Sequence, residues 1–177
     1  MSGAISQIQM KYDPNQDRLM MRLNTSQSAE FRFWLTRRFV KRLWPALVKL
    51  MQKDENVSMQ NDPMSRQAVM QFQHQESIAG ADFKTEYREE TVQDLPLGHA
   101  PLLVTQGTLN QNPETGHFNL GLHDEQKKGL NIGMEKKMLH TFCHLLADSV
   151  KKIEWDIKLQ IGRGMPGPAD ATPAHFH

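Results

Sequence analysis

The sequence has few of the features that mark secreted, membrane or strongly charged proteins. Cys143 is the only cysteine among 177 residues, so an internal disulfide is excluded. No run of 18 apolar residues occurs, which argues against a membrane-spanning helix. Basic residues number 21 and acidic residues 20, so the whole chain has no strong field of either sign to attract a charged polymer.

The N-terminal residues lack the pattern of a targeting sequence, and the C-terminal residues lack the pattern of a folded segment. No basic segment followed by an apolar one stands at the N-terminus, so we expect no signal peptide and a cytoplasmic location. Residues 162–177 begin with a Pro- and Gly-rich stretch that has almost nothing to bury, and we expect them to form a disordered tail. Residues 1–161 are then expected to form a single α+β domain, an ordinary size for one hydrophobic core.

An internal repeat is the strongest pattern in the sequence. When the chain is shifted by 99 residues, 5–53 falls on 104–152 without a gap, and all 16 apolar residues of the second segment fall on apolar residues of the first. Ungapped agreement through two turns and a helix favours duplication of one unit. The sequence therefore predicts two tandem β-β-β-α repeats that form one domain with pseudo-two-fold symmetry.

Each unit is predicted to hold three antiparallel strands and then a helix. In the first unit (5–53), apolar and polar residues alternate in three runs, and apolar residues at helical spacing follow over 37–53. Thr36 is placed to cap that helix. The second unit (102–152) repeats the pattern, with its first strand expected near 102–110 and its helix from about 134.

Two further segments remain outside the repeats. The polar connector, 54–100, contains a helix start at Asp62-Pro63, and a helix over about 63–78 is expected to bury Val69 and Phe72. Phe83, Thr85 and Tyr87 alternate as in a strand. Residues 153–161 also alternate between apolar and polar, which favours a final strand, although a continuation of the preceding helix also fits the pattern.

One local cluster of basic and aromatic residues favours nucleic acid as a ligand. It comprises Arg32, Trp34, Arg37, Arg38, Lys41 and Arg42. Basic groups next to aromatic rings can hold a single strand by phosphate contacts and base stacking. The alternative is that these charges form the ordinary solvated side of an amphipathic helix. The second repeat has fewer basic residues at the matching positions.

Metal binding and catalysis find little support in the sequence. His140 and His144 lie four residues apart on the second predicted helix, a spacing that suits one metal ion, but no further ligand has the right spacing. Both are expected to be solvated. Cys143 lies on the buried stripe, where a cysteine usually packs as an inert apolar residue. No metal site, no cofactor and no catalytic residue is predicted.

These patterns lead to three hypotheses about function. The first is a non-enzymatic binding protein with an unidentified protein partner, consistent with the 11 methionines, which suit adaptable surfaces. The second is a single-stranded nucleic-acid-binding protein that uses segment 32–44. The third is a small enzyme that uses His140, Cys143 or His144. The oligomeric state cannot be inferred from the sequence.

Overall fold

The computed structural model of the chain describes residues 4–89, 92–161 and 174–176. This part is a mixed α+β structure with two sheets and four helices. The elements in chain order are β1 (Ile5–Asp13), β2 (Arg18–Thr25), β3 (Glu30–Thr36), α1 (Arg37–Gln52), α2 (Glu55–Ser58), α3 (Pro63–Ala79), β4 (Leu102–Leu103), β5 (Gln106–Gln111), β6 (Phe118–His123), β7 (Gly129–Met134), α4 (Lys136–Lys151) and β8 (Ala174–Phe176).

The first sheet begins as an antiparallel meander of β1, β2 and β3. Met10 lies opposite Met21, and Met21 lies opposite Phe33. Because side chains alternate between the two faces of a strand, this register directs one apolar set into the core. Met21 and Phe33 are fully buried, while the side chains next to them in the sequence face away from the core.

The second sheet repeats this meander with β5, β6 and β7. Leu109 lies opposite Leu120, and Leu120 lies opposite Ile132. Each pair stands 99 residues after a pair of the first sheet. Helix α4 also begins and ends 99 residues after α1. The strand register and the helix bounds thus recur at the offset that the sequence indicates.

The fourth strand of each sheet breaks this correspondence. Leu102–Leu103 (β4) runs parallel to β3, so the strand expected over 102–110 is divided between the two sheets. Ala174–Phe176 (β8) pairs antiparallel with β5, the first strand of the second sheet. These three residues stand in a strand rather than in the expected disordered tail, and 162–173 lie outside the described residues.

The two long helices of the repeats pack in a reciprocal way. Helix α1, capped by the Thr36 side chain as predicted, lies against β5, and α4 lies against β1. The buried apolar residues of both sheets and both helices form one connected core. Within the described residues, no helix combines the length and the apolar character needed to cross a membrane.

Helix α3 covers α4 but uses an unexpected face. It begins at Pro63, with the Asp62 side chain accepting from the Ser65 N–H, as the sequence indicates. Its buried residues are Met70 and Gln73. The prediction that Phe72 is buried is wrong, since this side chain is 66% exposed. Periodicity located the helix, but the position of α4 decides which side of it is covered.

Residues 153–161 form neither a strand nor a continuation of α4. Trp155 is 1% exposed, and its indole N–H donates to Asp17 at the β1–β2 turn over 2.5 Å. This tertiary contact holds the segment against the end of the first sheet. Residues 83–87 also contain no strand, and the Tyr87 hydroxyl there donates to Asn24 and Glu30.

Candidate functional site

Helix α1 exposes a positively charged surface along its first half. Its apolar residues, such as Val40 and Leu43, are fully buried in the core. The exposed residues are four basic ones and a proline, namely Arg37, Arg38, Lys41, Arg42 and Pro45. The helix contains no acidic residue, so the charge of its exposed surface is of one sign.

The outer side of the first sheet continues this surface. Lys11, Met20 and Trp34 lie side by side across β1, β2 and β3, and Leu103 of β4 pairs with Trp34. Met20 and Trp34 are partly exposed, and Leu103 is 36% exposed. Facing residues on neighbouring strands are close enough for their side chains to touch. We call Met20, Trp34 and Leu103 the apolar row.

Arg18 joins the charges of the sheet to those of the helix. It lies opposite Thr36, the residue that caps α1, in the row of residues next to the apolar row. We call the resulting set the basic face, which consists of Lys11, Arg18, Arg37, Arg38, Lys41 and Arg42. Two carboxylates lie at its border: Asp13 is opposite Arg18, and Asp17 accepts hydrogen bonds from Tyr12 and Trp155.

Arg32, which the sequence groups with these residues, has a different partner. Its Nε binds the carboxylate of Glu30, and its Nη1 donates to the His99 carbonyl over 3.2 Å. The Glu30 side chain is completely buried, and Arg22 approaches its other oxygen to 3.1 Å. A buried carboxylate without partners is very costly, so both guanidinium groups serve to neutralise it. Arg32 is therefore left out of the basic face.

Tyr87 connects the polar connector to the buried ion cluster, which consists of Arg22, Glu30 and Arg32. Its hydroxyl lies 2.8 Å from Glu30 Oε2 and 2.7 Å from Asn24 Oδ1, and the Arg22 guanidinium lies 4.7 Å from the centre of its ring. Burial and the bond to Glu30 raise the pKa of Tyr87 well above its usual range, so the hydroxyl keeps its proton. The connector thus covers the end of the sheet that carries Glu30 and leaves the apolar row uncovered.

The expectation that His140 is solvated is wrong, because α3 covers it. His140 is 2% exposed, and its Nδ1 lies 3.2 Å from Nδ1 of His74 on α3. His144 remains partly exposed and packs against Phe83, with ring centres 4.9 Å apart. Burial, and for His74 the neighbouring His140 and His144, lower the pKa of both His74 and His140 to about 4. At neutral pH the pair is uncharged and shares one hydrogen bond.

Cys143 is fully buried, as its place on the apolar stripe indicates. Burial raises the pKa of its thiol well above the usual range, which disfavours the thiolate that nucleophilic chemistry needs. No three His, Cys, Asp or Glu residues among those described are arranged to hold a metal ion. His140 and Cys143 are both buried side chains of α4.

The structure separates Arg32 from the other residues of the predicted nucleic-acid site and places residues near Trp34 that the sequence does not single out. Arg37, Arg38, Lys41 and Arg42 are exposed on α1, and Trp34 lies on the outer side of β3, whereas Arg32 is bound by Glu30. The added residues are Lys11, Arg18, Met20 and Leu103. Alternation along β1 and β2 marks the first three as outward-facing, but only the strand register shows that they are neighbours of Trp34.

Comparison of the chain with models of protein families, with curated proteins and with solved structures finds no match in any of the three.

Proposed function

We propose that this chain is a non-enzymatic protein that binds nucleic acid through the basic face. The observation that carries the proposal is that the exposed part of α1 is entirely basic or proline and follows a strand whose outer side carries a partly exposed tryptophan. The net charge of +1 hides this local concentration, since it averages the whole surface. Clustered basic side chains bind phosphates and release counterions, which supplies most of the free energy of non-specific binding.

Binding that depends on phosphate contacts has a measurable salt dependence. We suggest titrating a labelled single-stranded oligonucleotide at several salt concentrations and following fluorescence anisotropy. For single strands, each phosphate contact contributes about 0.7 to the slope of log K against log salt, so Arg38→Gln with Lys41→Gln should reduce the slope by about 1.4. Both residues are exposed, so the free energy of unfolding should change little.

A matched control removes two positive charges from elsewhere on the surface. Lys127 and Lys151 are exposed and lie outside the basic face, in the β6–β7 turn and in the last turn of α4. Lys127→Gln with Lys151→Gln alters the net charge as much as the test variant and should leave the slope unchanged. Equal loss of affinity in both variants, or no binding at low salt, would overturn the proposal.

A second candidate function, binding of a protein partner, has one observation in its favour. Helix α3 exposes Met64 and Phe72, which are 80% and 66% exposed and lie eight residues apart on one side of the helix. Exposed apolar patches often mark interfaces. Self-association is the simplest case: sedimentation should then show a dimer that Met64→Gln with Phe72→Gln converts to a monomer. A protein that stays monomeric at high concentration would exclude self-association through this face.

We also infer that the two units arose by duplication and are related by an approximate two-fold axis. Support comes from the shared strand register at an offset of 99 residues and from the reciprocal packing of α1 on β5 and α4 on β1. A crystal structure should superpose 5–53 on 104–152 by a rotation near 180°. A different handedness or strand order in the two meanders would contradict this inference.

A further inference from the structure

The apolar row is unusual for the solvent side of an antiparallel sheet. Such a sheet normally has apolar residues towards the core and polar residues towards water. Here Met20, Trp34 and Leu103 face away from the core on three neighbouring strands, and none of them is buried. With strands about 4.8 Å apart, the row extends over about 10 Å, which is wide enough for one planar ring system.

Cations border this row on the side towards α1. Lys11 continues the row onto β1, directly opposite Met20, and Arg18 occupies the next row on β2. Arg37 follows one residue after Thr36, the strand partner of Arg18. A ligand that lies on the apolar row therefore has positive charge within reach along one side and at one end.

The other side of the row is closed by the buried ion cluster. Arg22 and Arg32 lie opposite each other in the adjoining row, and both are bound to Glu30. Tyr87 and the connector cover the row beyond them. The connector thus covers the sheet only as far as the row of Arg22 and Arg32. Trp34 lies beyond the part of the sheet that the connector covers.

Positions 99 residues later lack the apolar row and its neighbouring lysine. The residues that match Met20 and Trp34 are Asn119 and Gly133, which also lie opposite each other in the register, through β6 and β7. Asn110 stands where Lys11 would be expected. The same fold position thus exists in both sheets, and among the side chains that the structure describes only the first sheet combines an aromatic ring, flanking apolar side chains and cations.

We infer that the apolar row is a stacking site for an unpaired nucleobase, so that the ligand of the basic face is a single strand. This inference rests on the proposed function, because the phosphates of the same strand are held by the basic face. In a duplex the flat faces of the bases are stacked on one another and are hidden from a tryptophan. In a single strand they are accessible, and every base offers such a face, so recognition does not depend on sequence.

The test compares three probes of equal length: a single strand, its duplex, and a single strand of abasic nucleotides. The abasic strand keeps the phosphates and lacks the bases. The single strand should bind at least about fivefold more tightly than the abasic strand, because stacking contributes about 1–3 kcal/mol per base. The duplex should bind less tightly than the single strand, because its bases are not accessible for stacking.

Variants of the row should separate stacking from charge. Trp34→Ala should lower the affinity for the single strand by about five- to 150-fold and leave binding of the abasic strand and the salt slope unchanged. Trp34→Phe should restore part of the affinity, since a phenyl ring also stacks. Leu103→Gln is a second variant on an exposed residue and guards against a folding defect in the first; it should lower affinity in the same direction.

The outcomes test the stacking site and the proposed binding of nucleic acid separately. Equal binding of single strand, duplex and abasic strand, with no effect of Trp34→Ala, would overturn the stacking site and leave the proposed function standing. Failure of all three probes to bind at low salt would overturn both. A uniform loss for every probe in Trp34→Ala, with normal circular dichroism, would show that the tryptophan supports the surface without contacting bases, and this also contradicts the inference.

Discussion

The outer faces of the two sheets share one register and differ in chemistry. In the first sheet the outward positions hold Arg22 and Trp34, and 99 residues later the same positions hold Gly121 and Gly133. The inward positions of β2 and β3, and of β6 and β7, are apolar. Burial therefore constrains one face of each strand in both units, while the face towards solvent differs between them. The comparison shows where this fold can acquire a binding surface without a change in its core.

The two long helices show the same contrast for a different reason. Lys41 is exposed on α1, and its counterpart 99 residues later, His140 on α4, is buried beneath α3. Lys136, the counterpart of Arg37, pairs with Asp54 at 2.7 Å. A segment of the connector thus covers on α4 part of the surface that α1 leaves open. Lys137 and Lys151 remain exposed on α4, fewer than the four exposed basic residues of α1.

The largest effect is expected at the ion cluster, which has no counterpart in the second sheet. Glu30→Ala leaves two guanidinium groups without their buried carboxylate, and removal of one partner of a buried ion pair typically costs about 3–5 kcal/mol. Urea denaturation should show this loss. Glu89→Ala is the matched control, because Glu89 also binds Arg22 but its side chain is 68% exposed; about 1 kcal/mol or less is expected. Similar losses in both variants would show that burial of Glu30 is unimportant.

The next largest effect concerns the glycines that replace side chains in the second sheet. A Cβ on Gly129 would lie 1.9 Å from the Leu122 carbonyl oxygen, so Gly129→Ala must move the backbone and should cost about 2 kcal/mol or more. At Gly133 the nearest atom to such a Cβ is 3.7 Å away. Gly133→Ala should change the free energy of unfolding by less than about 0.5 kcal/mol. Equal losses of unfolding free energy in the two variants would mean that β7 can move to accommodate a Cβ at Gly129.

A smaller effect on the free energy of unfolding should depend on pH. It should come from the two histidines at the contact between α3 and α4. The pKa values of His74 and His140 are lowered to about 4 in the folded protein, so the unfolded chain binds protons first as the pH falls below about 6.5. The contribution of the pair to stability is therefore fully present above about pH 6.5 and is lost progressively as the pH falls towards 4. His144, Lys136 and Asp54 are the other ionisable groups nearby.

The control for this prediction removes one member of the pair. His74→Gln keeps a polar side chain beside His140 and should flatten the dependence of the unfolding free energy on pH between 6.5 and 4. The measurement is urea denaturation at several pH values. A dependence that is unchanged by His74→Gln would assign the effect to other groups.

The smallest expected effect is that of metal removal. The histidines of α3 and α4 are not joined by a further ligand in a metal-binding arrangement within the described part of the chain. A chelator should therefore leave the melting temperature unchanged, and elemental analysis of untagged protein should find no stoichiometric zinc. About one zinc per chain, with a loss of stability on chelation, would contradict this expectation.

The pattern of the sequence predicts which faces of the strands and helices are buried. It does not predict most of the contacts between distant segments. Alternation and helical spacing report burial, so they located β1–β3, α1 and α4. The apolar row was missed because Met20, Trp34 and Leu103 come from three distant segments that only the register brings together. The contact between His74 and His140 has the same origin, since it depends on where α3 docks. Local pattern carries no information on such contacts.

The burial of two of the three tryptophans has a practical consequence for following this protein in solution. Trp155 and Trp44 are 1% and 7% exposed, whereas Trp34 is partly exposed on the apolar row. A neutral collisional quencher will reach Trp34 first and leave the other two emitting. The quenchable part of the intrinsic fluorescence thus comes mainly from the apolar row. The chain carries its own unlabelled optical reporter, placed where a ligand would change its emission.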